Sequence, residues 1–197
     1  MLEPIQILGQ TTSWLEVIAM LTGILGVWLT IQEKIWCFPI GIINVALYGW
    51  LFLSPGIRLY ADALLQGIYI FLLVYGWSIW SMRKKEKLVP VKVTGKTSLS
   101  LFLVCIAGTI LLAAFFSTYT DASYPWLDSA LTCASLGAQW MIARKLIENW
   151  IVWIVADIIY IPLYLSKQLP LTAILYFIFL LLAFRGYSDW KKNMIHA

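Results

Sequence analysis

Of 197 residues, 61% are hydrophobic and only 12% are charged, with a mean hydropathy of +0.83 and a net charge of +4. A soluble domain of this length exposes far more charge, so the balance excludes that class and indicates a polytopic membrane protein. The single histidine, His196, excludes a histidine-built active site or haem centre in the membrane, and Cys37, Cys105 and Cys133 have neither metal-site nor disulfide-framework spacing. No cofactor, metal site or catalytic residue is expected.

Seven apolar segments follow one another at 13–32, 35–54, 59–80, 99–117, 124–142, 148–166 and 169–187. Each is near the ~20 residues that span ~30 Å of hydrocarbon as a helix. No basic stretch precedes the first, so no cleaved signal peptide is expected. The links are short except for the basic loop at 81–98. Of the 14 lysines and arginines, all but Arg58 and Lys167 fall on one side once the segments alternate. That asymmetry predicts an outside N-terminus and a cytoplasmic C-terminus. The run Arg83-Lys-Lys-Glu-Lys87 is read as a topology anchor, not as a nucleic-acid patch.

In the second segment, Asn44 and Tyr48 share a helical face after Pro39 and Gly41, and Pro39 is expected to kink that helix. In the third, Asp62, Gln66 and Tyr69 share a face, Gln66 offering both a donor and an acceptor. The sixth is the most informative. Trp150, Trp153, Asp157, Tyr160 and Tyr164 recur at alternating steps of three and four residues, which aligns them on one face. A carboxylate near mid-membrane costs several kcal/mol unless it has a partner or water. An aromatic lane with one acid at its centre suits a small, flat, cationic molecule.

Bland alternatives exist for each of these residues. Trp150 and Tyr164 suit interfacial anchoring, Asp157 an interhelical hydrogen bond, and Asn44 and Gln66 the gluing of helices by amides.

The chain also repeats itself. Trp14-Leu-Glu16 opens the first segment and Trp126-Leu-Asp128 the fifth; Trp28 matches Trp140, and Trp36 is aligned with Trp150. Leu59, Ala63, Leu65, Ile68, Leu72, Gly76, Ser78 and Trp80 recur as Leu169, Ala173, Leu175, Ile178, Leu182, Gly186, Ser188 and Trp190. The expected architecture is therefore an all-α membrane domain over 1–197. Its parts are a three-helix unit at 13–80, a linking helix at 99–117 and a second unit at 124–190. With one helix between them the units point the same way, a parallel 3+1+3 repeat, and transporters built from repeats hold their substrate between the halves.

Ile42-Ile-Asn-Val45, Leu59-Tyr-Ala-Asp-Ala-Leu-Leu-Gln66, Tyr75-Gly-Trp77 and Glu148-Asn-Trp-Ile-Val-Trp153 resemble motifs of the PnuC family of bacterial vitamin transporters, and the likeness covers essentially the whole chain. The resemblance implies a SWEET-like 3+1+3 fold, a homotrimer in the bacterial inner membrane, and uptake of nicotinamide riboside by facilitated diffusion. It also implies trapping of the vitamin by a cytoplasmic kinase. One departure stands out: nicotinamide riboside members carry asparagine at the positions of Asp157 and Leu73. Relatives carry thiamine or riboflavin, and thiamine shares with nicotinamide riboside a fixed charge on an aromatic ring. A thiamine carrier is thus the nearest alternative. A proton-coupled symporter using Asp62 or Asp157, a membrane enzyme and a helical scaffold are the others. No catalytic motif favours the enzyme.

Overall fold

The computed structural model describes residues 4–7, 10–54, 60–82, 89–120, 124–166 and 170–195. Among them are seven helices: α1 (Trp14–Ile31), α2 (Cys37–Leu53), α3 (Tyr60–Met82), α4 (Gly95–Tyr119), α5 (Pro125–Ala143), α6 (Asn149–Ser166) and α7 (Pro170–Ile195). They coincide with the seven apolar segments to within a few residues, except that α7 runs on past its apolar part. By length and composition, α1, α3, α4, α6 and α7 are each sufficient to cross a membrane. The Arg83–Lys87 run lies outside the described residues.

A short hairpin precedes the helices. β1 (Pro4–Ile7) and β2 (Gln10–Ser13) pair antiparallel, Pro4 opposite Ser13 and Ile7 opposite Gln10. The polar, β-prone Gln10-Thr-Thr-Ser13 leads straight into α1. Ser13 caps that helix by accepting a hydrogen bond from the Glu16 N–H at 3.2 Å. Thr12 donates to the Glu16 carboxylate at 2.7 Å.

The kink expected at Pro39 needs correcting. Helix α2 begins at Cys37, so Pro39 sits in the first turn, where a missing N–H breaks no intrahelical bond. The proline inside a helix is Pro162, in α6.

Helices α1, α2 and α3 pack in sequence, as do α5, α6 and α7; α4 packs chiefly on α5. The two groups meet where α1 touches α7 and α3 touches α5. At these seams two indoles cross over. Trp80 of α3 donates to the Ala143 carbonyl at the end of α5 at 3.2 Å. Trp190 of α7 donates to the Thr30 and Ile31 carbonyls at the end of α1, at 3.2 and 3.3 Å. Each indole is met edge-on by a ring of its own group. Phe38 lies 5.0 Å from Trp80 at 89°, and Trp150 lies 5.3 Å from Trp190 at 87°. Phe38 thus stands to Trp80 as Trp150 stands to Trp190. Trp36 is 66% exposed, whereas Trp150 is buried in the core.

Asn44 ties α2 to α1 by donating to the Ala19 carbonyl at 2.5 Å and to the Thr22 hydroxyl at 3.3 Å. The chain leading into α4 is stapled to the α5–α6 turn. Val91 N–H donates to the Lys145 carbonyl and the Val91 carbonyl accepts from Ile147 N–H, both at 3.0 Å, and Val93 N–H donates to the Glu148 carboxylate at 3.0 Å.

Candidate functional site

The helices enclose a cavity of about 1090 Å³. Every sequence-predicted site residue whose side chain is described lines it: Asn44 and Tyr48 from α2, Gln66 and Tyr69 from α3, Trp150, Trp153, Asp157 and Tyr160 from α6. The side chain of Asp62 lies outside the described residues. The periodic lane of α6 thus faces inward, while Ile151, Val155 and Ile158 on its other side are exposed to the surroundings. Trp150 is not an interfacial anchor: its ring sits at the inner end of the cavity against Gly186 and Trp190.

Asp157 is 2% exposed. The salt bridges found between described residues join Lys145 to Glu33, and Arg185 and Lys192 to Asp189; none involves Asp157. The indole N–H groups of Trp150 and Trp153 are buried without a hydrogen-bond partner among the described residues. Buried polar groups are normally paired, so an acid and two donors left open on one cavity wall are what a bound polar ligand would satisfy. Glu16 and Asp128 also line the cavity, and no lysine, arginine or histidine does so among the described residues. Its formal charge is wholly negative.

Two parts of the wall had not been picked out from sequence. One is an aromatic cluster toward α7: Tyr176 lies 4.6 Å from Tyr160, 5.0 Å from Tyr164 and 5.9 Å from Phe179, centroid to centroid. The other is a polar stripe on α5. Asp128, Thr132, Ser135 and Gln139 all line the cavity. Their alternating steps of four and three residues form the same signal that marked α6, so this stripe was open to detection. Leu73, which stands where the resemblance implies an asparagine, lines the cavity against Gly41. Its apolar tip offers the ligand neither a donor nor an acceptor.

The sequence pattern that defines the nicotinamide mononucleotide transporter family matches residues 13–192. The chain belongs to that family. Among relatives of this family member, the nicotinamide riboside transporter PnuC of Escherichia coli is 27% identical over 217 residues, covering 96% of this chain and 90% of the relative. The riboflavin/roseoflavin transporter RibM of Streptomyces davaonensis is 23% identical over 199 residues, covering 95% of this chain and 89% of RibM. The crystal structure of the vitamin B3 transporter PnuC superimposes with a TM-score of 0.74 at 24% identity, covering 93% of this chain and 83% of that one. Membership in a transporter family, with five helices long and apolar enough to cross a membrane, makes this a multi-pass membrane transporter. The resemblance drawn from the motifs therefore holds at the level of family and fold.

One expectation for this nicotinamide mononucleotide transporter family member concerns Trp153. Stacking of a cationic ring on a desolvated indole is worth about 0.5 to 2 kcal/mol, so Trp153→Ala should weaken ligand binding by up to roughly thirtyfold. Trp14 and Trp126, 55% and 57% exposed at the starts of α1 and α5, should tolerate the same change with affinity intact. A binding titration on the three purified variants checks this, and equal losses would place the ligand away from α6.

Proposed function

We propose that the protein carries nicotinamide riboside across the bacterial inner membrane by facilitated diffusion. The observation that carries this reading is the unpaired Asp157 on a cavity wall of aromatic rings, in a cavity whose charged lining residues are all acids. A pyridinium ring finds there both a counter-charge and stacking partners, and a ribose or carboxamide oxygen finds the open indole N–H groups of Trp150 and Trp153. A mononucleotide is a poorer fit, since nothing basic lines the wall to neutralise its phosphate. Riboflavin is uncharged and gives Asp157 no counter-ion. Thiamine is the second reading, because its thiazolium supplies the same charge. Uptake of radiolabelled nicotinamide riboside and of thiamine into proteoliposomes, measured side by side, tests the choice; uptake of neither would sink it.

The coupling proposed is none. The described residues include no group of three or more acids, histidines or cysteines able to hold a metal ion, and the chain carries no nucleotide-hydrolysis motif. Transport then runs down the substrate gradient, and a cytoplasmic kinase retains the product as phosphate. Collapsing the proton gradient across proteoliposomes should leave the initial rate nearly unchanged. A steep dependence on an imposed pH gradient would instead mark a symporter using Asp62 or Asp157.

The proposed frame is the parallel 3+1+3 repeat, α1–α3 and α5–α7 joined by α4, with the N-terminus outside and the C-terminus in the cytoplasm. The crossed Trp80 and Trp190 hydrogen bonds support the repeat, as do the matched positions of Trp14 and Trp126. The family resemblance further implies a homotrimer, which particle mass in detergent or nanodiscs tests.

A further inference from the structure

Two turns at the lysine- and arginine-rich end have unusual backbones. Glu33, between α1 and α2, and Lys145, between α5 and α6, have φ of 56° and 54°. Glycine or asparagine adopts this left-handed conformation at less cost, so residues that keep it with long side chains invite a reason. The side chains provide one. Lys145 Nζ lies 2.5 Å from Glu33 Oε2, with both side chains largely withdrawn from water. Asn193 of α7 donates to the other Glu33 oxygen at 2.6 Å, and Lys145 Nζ stands 4.5 Å from the centre of the Trp80 ring.

Glu33 and Lys145 are 112 positions apart, the interval that also separates Trp14 from Trp126 and Trp28 from Trp140. Equivalent residues of the two proposed repeats thus pair with each other, which happens only beside the axis relating them. Around the pair, Trp80 and Trp190 bind carbonyls across the seams in opposite directions. This layer does not line the cavity. Phe38 and Trp150 do, and their rings separate the cavity from Trp80 and Trp190. At the other end the lining reaches Glu16, Thr120 and Pro125, at the helix ends themselves. The cavity is therefore deep from one end and floored at the other.

We propose that Glu33 and Lys145, with Trp80 and Trp190, form the latch that closes the lysine- and arginine-rich end of the transport path, and that it parts when substrate passes that end. The inference rests on the carrier reading above, since a carrier must open its site to each side in turn. A buried ion pair is suited to this use. Its net contribution is modest because separation returns both charges to water, yet it has one good geometry, so the end is shut or open with little between. The indole-to-carbonyl bonds give the closed state its register.

Cys37 supplies a native reporter. It is buried, lines the cavity at its floor and carries a free thiol. The experiment measures its modification by a membrane-impermeant maleimide added to one side or the other of sealed vesicles, without substrate. A Cys37→Ser protein gives the background from Cys105 and Cys133. Glu33→Gly removes the carboxylate while suiting the backbone at φ 56°. The double variant Trp80→Phe/Trp190→Phe keeps the rings and deletes both donors. Each should raise the rate of labelling from the lysine- and arginine-rich side by roughly tenfold, a shift of about 1.4 kcal/mol in the closed–open balance. Labelling from the opposite side should not rise. An unchanged rate in both variants, or equal acceleration from the two sides, would overturn the latch. Because no substrate enters the measurement, failure of nicotinamide riboside uptake would leave this result readable.

Discussion

Asp157→Asn is expected to weaken binding of nicotinamide riboside by about ten- to hundredfold, while binding of its uncharged dihydropyridine form changes little. The two ligands have nearly the same size and the same ribose, so they differ mainly in the charge that Asp157 would face. A contact made to a charged group is worth about 1.5 to 3 kcal/mol more than none, which sets the range. Asparagine keeps the volume and an oxygen acceptor. The resemblance also implies that nicotinamide riboside carriers use it at this position, so the variant should fold. What it should lose is discrimination between the cation and its neutral analogue, read from paired titrations on wild type and variant. Parallel losses for both ligands would make Asp157 an interhelical strut and move the cation elsewhere.

Gly186→Val is expected to be among the most damaging small-to-large changes in the described helices, alongside one at Gly76, where a Cβ would lie 2.4 Å from the Phe38 ring. A Cβ at Gly186 would lie 2.6 to 2.7 Å from three atoms of the Trp150 ring, closer than carbon atoms approach. Trp190 meets the ring edge-on at 5.3 Å, so relief can come only by pushing the indole out of that contact and into the cavity it lines. Overpacking of this kind costs about 1 to 3 kcal/mol or more, and valine adds branching where alanine alone would already clash. Gly67 of α3 is the control, since a Cβ there meets nothing within 4 Å; Gly67→Ala should hold or raise the melting temperature. Thermal unfolding in detergent compares them, and equal midpoints would mean that the Trp150 site yields.

The seven helices were legible because each contains a long apolar run, a signal that needs no tertiary knowledge. The inward face of α6 was legible for the same kind of reason: Trp153, Asp157 and Tyr160 are costly on a lipid face, so their period points to an interior. The stripe from Asp128 to Gln139 on α5 has that period too, but serine, threonine and glutamine sit in membrane helices without strain and attract less notice. Other features depend on partners that sequence does not place. Asn44 binds a backbone carbonyl of α1, which any residue could have provided. Trp36 and Trp150 look alike in a repeat alignment, yet one faces outward and the other is enclosed, because Phe38 holds the equivalent position against Trp80. Pro39 reads as a kink until the start of α2 is known to the residue.

The helices also differ in length, with a mechanical consequence. Helix α2 has 17 residues and α4 has 25, about 26 Å and 38 Å at 1.5 Å per residue. Against hydrocarbon about 30 Å thick the first helix is short and the second long, so the lipid is expected to thin around α2 while the polar first turn of α4 reaches into the headgroup layer. Because α2 carries Asn44 and Tyr48 of the cavity wall, this hydrophobic mismatch falls on an element of the site itself. Acyl-chain length in the surrounding lipid is therefore expected to alter turnover, acting on the carrier from outside as temperature or ligand acts from within.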